Sequence, residues 1–341
     1  MRRTCLAVSI GIAALALAGL AQQTPGTGPY KLVKTVKVGG AGGFDYVYAD
    51  VDGRRLYIPR PAATGARITV FDLDSLASVG EISNANARGV AVDPKSHHGF
   101  GSSKPMVMWD TKTLATIKTI DVAGGPDGIL FDPFNERVWV FSHRAPNATV
   151  IDAKDGSIAG TVDLGGAPEQ AVTDGKGHLW VDIEDKDNIA AVDARTLKVT
   201  AHYDLAGKGG GPGGLALDEK HHILFAACHE PATMVILDAD DGKIVTALPI
   251  GQGVDGAGFN PHTMEVFSSQ GDGTLTVIKE SSPTSFEVEQ TVQTKPGART
   301  MTVDTKTNQI FLITGEFAPP APGQRRGPMA PDSFSIIVVG K

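Results

Sequence analysis

An all-β fold made of seven similar four-stranded units is what this sequence predicts, and three observations carry the prediction. A short apolar stretch ending in Asp or Asn recurs at Asp50, Asp93, Asp132, Asp174, Asp218, Asn260 and Asp304, in steps of 43, 39, 42, 44, 42 and 44 residues. Each marker is followed by a turn and further β-branched or aromatic runs, such as Arg137-Val138-Trp139-Val140-Phe141 and Ala148-Thr149-Val150-Ile151-Asp152. Glycine supplies 41 of 341 residues, well above average usage, as many tight turns require. Four short strands per period of roughly 42 residues is the spacing of a propeller blade, so seven markers predict a seven-bladed β-propeller of antiparallel four-stranded blades.

Taken in chain order, residues 1–21 read as a signal peptide. Arg2 and Arg3 precede an apolar run over residues 6–20, which is too short to cross a bilayer, and Gln22-Gln23 follows. Export to the periplasm or the medium is therefore expected, with a linker over 22–29 and the propeller over 30–341. Losing the leader removes Arg2, Arg3 and Cys5, leaving 29 basic residues against 38 acidic ones, a formal charge of −9, and Cys228 as the one cysteine. That balance argues against a nucleic-acid partner or an anionic membrane surface, no intrachain disulfide can form, and a monomer without membrane insertion is expected.

The last repeat supplies strands near 299–303, 309–314 and 334–339 and then ends, one strand short. Residues 30–38 read as a strand with no other blade to join, so the N-terminal strand should close the seventh blade beside the C-terminal one, removing two open edges. The marker acids read as turn architecture, since Asp and Asn side chains accept from nearby backbone amides; Asp93-Pro94, Asp132-Pro133 and Asn260-Pro261 are turn-initiating pairs. A second series at Asp72, Asp110, Asp152, Asp193 and Asp238 reads the same way. Trp139, Trp180, Phe225 and Phe311 read as packing between blades.

The repeated units Ala87-Arg88-Gly89-Val90-Ala91-Val92-Asp93, Ala148-Thr149-Val150-Ile151-Asp152-Ala153 and Gly273-Thr274-Leu275-Thr276-Val277 resemble those of the YncE-like, YVTN-repeat family of exported seven-bladed propellers. The resemblance spans 30–341. No literal Tyr-Val-Thr-Asn occurs, and Leu56-Tyr57-Ile58-Pro59 and Leu179-Trp180-Val181-Asp182 stand in its place. It implies export and the binding of a ligand or partner, without implying a reaction.

Register turns the repeat into a map of the channel mouth. Five residues before the markers stand Asp45, Arg88, Asp127, Glu169, Gly213, Asp255 and Arg299, six of seven charged at the start of strands that otherwise read apolar. Two readings compete for this ring. Arg88 between Asp45 and Asp127, with Arg299 between Asp255 and Asp45, makes a structural salt-bridge ring; the surplus of acid makes a site for a cation, an amine or a metal. Eleven residues after the markers, on the same face, stand Pro61, Lys104, His143, Asp185, His229, Gly271 and Gly315. His143 and His229, with Glu230 beside the second, have the chemistry of general bases or metal ligands, but lie two blades apart and lack the spacing of a zinc motif.

Residues 182–188 are dense in oxygen ligands but lack the glycine and terminal Glu of an EF-hand, and read as a solvated acidic hairpin. His97, His98, His178, His221, His222 and His262 fall on the opposite face and read as exposed turn residues. The proline-rich insertion over 315–332 belongs to the mouth face, where it could bring Arg325 and Arg326 toward the acids.

Two functions follow. The first is a noncatalytic exported propeller using its mouth for a small molecule, peptide or partner protein. The second is a metal-assisted hydrolase or lyase, lactonase-like, at the same position, with a divalent metal as cofactor. No nucleophile elbow, nucleotide-binding loop or haem-attachment motif is present, and no catalytic residue is assigned.

Overall fold

Apolar residues alternating along short strands must bury one face on each side of a sheet, and a ring of sheets stacked face to face achieves that for every unit. The computed structural model describes residues 28–319 and 327–341. The expected leader over 1–21 and the pair Arg325 and Arg326 lie outside the described residues. Seven four-stranded antiparallel sheets form seven blades, with almost no helix. The inner strands run Tyr48–Asp50, Val90–Asp93, Pro126–Asp132, Pro168–Thr173, Pro212–Asp218, Val254–Asn260 and Met301–Asp304, in blades 1 to 7.

Closure follows the expected route. Strand Lys31–Lys37 pairs antiparallel with Ser335–Gly340, Lys31 opposite Gly340 and Lys37 opposite Ser335, as the outer strand of blade 7. Gln290 of blade 6 brackets the entry to this strand, its Nε2 donating to the Tyr30 carbonyl at 2.7 Å and its Oε1 accepting from the Tyr30 amide at 3.0 Å. The Tyr30 hydroxyl donates to Glu265, which also pairs with Lys341 at 2.9 Å, so Tyr30 and Lys341 are held on one blade.

All seven markers cap turns as expected. The amides of Gly53, Lys95, Phe134, Lys176, Lys220, His262 and Lys306 donate to the side-chain oxygens of Asp50, Asp93, Asp132, Asp174, Asp218, Asn260 and Asp304 at 2.7–3.2 Å. The second series behaves alike at Asp72, Asp110, Asp152, Asp193 and Asp238. Apolar clusters fill the spaces between adjacent blades. Trp139 shares one cluster with Leu179 and Val181 of blade 4, and Phe311 shares another with Leu56 and Ile58 of blade 1.

Glycine lets the inner strands converge. A Cβ on Gly214 would lie 2.8 Å from the backbone of Gly256, one blade away. Gln170 then spans three blades, its Oε1 accepting from the amides of Leu215 and Ala257 and its Nε2 donating to the Ala257 carbonyl. This amide braces the channel just below the mouth.

Candidate functional site

Three of the seven inner-strand starts are pinned by a hydroxyl, which aims their ring residues. Thr300 Oγ1 donates to the Asp45 carbonyl at 2.7 Å, Ser102 to that of Asp127, and Ser269 to that of Arg299 at 2.5 Å. The side chains then gather at one mouth. Arg88 pairs with Asp45 at 2.6 Å and reaches Asp127 at 3.8 Å, and Arg299 pairs with Asp255 at 3.0 Å. The salt-bridge reading is therefore realised in blades 1 to 3 and 6 to 7.

Blades 4 and 5 are different. Among the described residues Glu169 has no arginine partner; its Oε1 lies 2.8 Å from His143 Nδ1 and its Oε2 accepts from the Tyr46 hydroxyl at 2.9 Å. At Gly213, the uncharged position of the ring, the missing side chain leaves room for the His229 imidazole, whose Nε2 would lie 3.1 Å from a Cβ there. Between the two histidines stands Glu184, 3.7 Å from His143 Nε2 and 3.9 Å from His229 Nε2. Glu230 is exposed on the rim of an open pocket of about 690 Å³ that it shares with His229, Glu184, Asp185 and Asp187.

Counting from the markers puts Asp185, not Glu184, beside the histidines, and the structure corrects this. In six blades the marker pairs with the residue five positions on, as in Asp132 opposite Arg137 and Asp218 opposite Ile223. In blade 4 the turn is one residue tighter, with Thr173 opposite Leu179 and the Asp174 amide donating to the His178 carbonyl. Everything after that turn moves up by one. Glu184 thereby follows its strand as His143 and His229 follow theirs, while Asp185 turns to accept from the Ala167 amide at 2.7 Å.

The acidic segment 182–188 is consequently not a solvated hairpin throughout. Asp182 is fully buried on the strand, with neither carboxyl oxygen hydrogen-bonded among the described residues, and burial followed by the charges of Glu169 and Glu184 pushes it well above the usual carboxylate range. Asp187 accepts from the Gly211 amide at 2.7 Å and so holds the neighbouring blade's loop.

Burial and mutual repulsion dominate the electrostatics. Asp127 is pushed up to about 7 by burial and by Asp45 and Glu169, against which Arg88 and His143 pull only in part. Asp255 is also pushed up to about 7, by burial foremost, with Arg299 pulling it down and Asp45, Glu169 and Asp127 pushing it up. His143 is raised to about 9, chiefly by Glu169, and is an imidazolium at neutral pH. Asp127, His143 and Glu169 offer one ligand atom each within 4.8 Å of one another, a donor set a divalent ion could use. Tyr46, missed by the register count, follows Asp45 directly and reaches across to blade 4; burial and then Glu169 hold its phenol protonated.

The insertion over 315–332 does not bring described residues into the ring. Phe317 and Met329 form a bridge, Ala318 donates to the Pro328 carbonyl, and Phe317 sits 6.2 Å from Phe44, with a pocket of about 640 Å³ against the Gly40–Phe44 loop. Arg60 organises that loop: the residue is 1 % exposed, and its guanidinium lies 3.7 Å over the Phe334 ring and donates to the carbonyls of Gly39, Gly40, Gly42 and Gly43.

The fold and site together define a seven-bladed β-propeller with an acid-rich channel mouth. No protein-family model matches the chain, and no curated protein matches it. Among solved structures it is similar to that of U3-55K, with a TM-score of 0.73 at 9 % identity over 92 % of this chain and 99 % of the other. It is also similar to the RRP9 WD40 repeats, with a TM-score of 0.72 at 10 % identity over 93 % and 99 %. Likeness at such identities shows the fold.

Proposed function

We propose that this protein is an exported, noncatalytic binding propeller of the YncE-like kind, which captures a cationic group at its mouth. The cation belongs to a small molecule or to a basic side chain of a peptide or partner protein; the similarity to a WD40-repeat propeller is compatible with the last. One observation carries the reading: among the described residues five acids, Asp45, Asp127, Glu169, Glu184 and Asp255, share the mouth with two arginines and the His143 imidazolium, and Asp127 and Asp255 are left at about 7. The protein's own cations do not neutralise its acids, so an entering cation lowers the cost of ionising them. Calorimetric titration with putrescine, spermidine and a lysine-containing tripeptide tests this. Binding that Glu169→Gln weakens at least tenfold supports the reading; absence of binding across all three probes overturns it. Export is tested by the N-terminus of the native protein, expected near Gln22.

A second reading, the metal-assisted hydrolase or lyase, rests on Asp127, His143 and Glu169 within 4.8 Å. His143 must then surrender the proton that Glu169 stabilises. Zinc- or manganese-dependent lactone hydrolysis, lost in His143→Ala, would shift the assignment to it.

A further inference from the structure

On the face opposite the mouth, the marker Asp218 ends the inner strand of blade 5, and His221 lies in the turn that follows. Its Nδ1 is 2.8 Å from Glu280 Oε1, a residue of blade 6, and 2.6 Å from Asp218 Oδ2. Glu280 takes the place that Ala153, Ala194 and Ala239 hold in blades 3 to 5, its amide donating to the Met264 carbonyl as theirs donate to Glu136, Gly177 and His222, and the hairpin of blade 6 runs on beyond it, its third strand Thr274–Ser282 having nine residues where those of blades 3 to 5 have six. Phe286, opposite Glu280 on that hairpin, packs edge-on against Phe225 of blade 5 at 5.8 Å, which seats the extension on the neighbouring blade.

The two carboxylates are nearly sealed from water, Asp218 at 1 % and Glu280 at 3 % exposure, whereas His221 keeps an open edge. His221 is thus not the exposed turn residue its sequence position suggests. One nitrogen cannot serve both acids. Its hydrogen bond goes to Glu280 Oε1, so Asp218 Oδ2, although aimed at the same nitrogen, has no hydrogen-bond partner, and neither has Glu280 Oε2. Among the described residues no lysine or arginine lies within ion-pair distance of either acid. If both buried carboxylates are ionised, one imidazole leaves an uncompensated negative charge even when the ring is protonated, a costly arrangement in a packed interior. Burial first raises Glu280 from its ordinary range, with the charge of Asp218 and, in the protonated form, a hydrogen bond to it adding to the rise against the pull of His221.

We propose that Asp218, His221 and Glu280 form a divalent-cation site that bolts blade 5 to blade 6 on the face away from the mouth. The ligand atoms lie within 4.8 Å of one another, one imidazole and two carboxylates being a donor set that suits zinc or manganese, and a 2+ ion with neutral His221 balances both acids. The open edge at His221 is the entry path. The site stands whether or not the mouth binds cations.

The test separates the two faces by disarming the mouth with His143→Ala and Glu169→Gln together and titrating the full protein with zinc by calorimetry, with thermal melting alongside. The expected result is one zinc bound per chain and a raised melting temperature, with affinity at least tenfold lower when His221→Ala is added and likewise when Glu280→Gln is added. His221→Ala removes a partly exposed turn side chain, so it reports even if Glu280→Gln unfolds the blade. No binding in the mouth-disarmed protein, or binding indifferent to His221→Ala, overturns the site; zinc bound only by the wild type assigns it to the mouth instead.

Discussion

Glu169 and His143 meet at 2.8 Å across the boundary between blades 4 and 3, Glu169 from the start of an inner strand and His143 from the loop after a second strand. The pair is the point where the mouth stops being an arginine–carboxylate ring and becomes a group of exchangeable protons. Glu169 raises His143 to about 9, and the imidazolium in turn holds the acid in place.

The first prediction concerns that pair. Because the folded-state pKa of His143 is raised, its contribution to stability is complete below the unfolded value near 6.5 and is lost as pH rises through about 9. Glu169→Gln should drop the His143 titration, followed by NMR, back toward 6.5. The melting-temperature gap between wild type and variant should be widest near pH 6 and narrow above pH 9. An unchanged His143 titration would break the link.

Arg88 tests the salt-bridge part of the ring. Removing it as Arg88→Met leaves Asp45 and Asp127 facing each other, and should cost about 1–2 kcal/mol in urea denaturation at pH 8, since the arginine is partly solvated. At pH 4.5, where Asp127 is protonated, the loss should shrink. A pH-independent loss would point to packing of the side chain instead.

Asp255 should act in the opposite sense. Its folded-state value of about 7 lies above the unfolded one, so the stability linked to its proton is present below about pH 4 and lost as pH rises through 7. Asp255→Asn should therefore gain on wild type in melting temperature between pH 5 and pH 8, even though Arg299 loses its partner. A variant that falls further behind as pH rises would show that the Arg299 pair outweighs the crowding of acids.

Arg60 has no carboxylate partner within ion-pair distance among the described residues, and is lowered to about 10 by burial. Its planar fork matches four carbonyls in a way an ammonium cannot, so Arg60→Lys should cost about 2–4 kcal/mol and open the loop over 39–43 to proteolysis. Cleavage at an unchanged rate would remove its role as organiser of that loop.

What the sequence by itself determined is what rests on local bonds or on repetition. Each marker caps its own turn two or three residues away, so Asp93, Asp132 and Asp218 announce blades without reference to anything distant. Counting blades then forces the closure of Lys31–Lys37 on Ser335–Gly340 and brings Asp45, Asp127, Glu169 and Asp255 to one end of the channel. Only the tertiary structure decided which partners these groups take. The turn after Asp174, one residue tight, exchanges Asp185 for Glu184 between the two histidines, and His221 meets the carboxylate of Glu280 where the equivalent place in blades 3 to 5 holds alanine. Tyr46 finds Glu169 across the channel, 123 positions along the chain. The exchange at Glu184 turns on a one-residue change of register that a repeat count averages away, because shifting a strand by one residue moves every side chain on it to the other face.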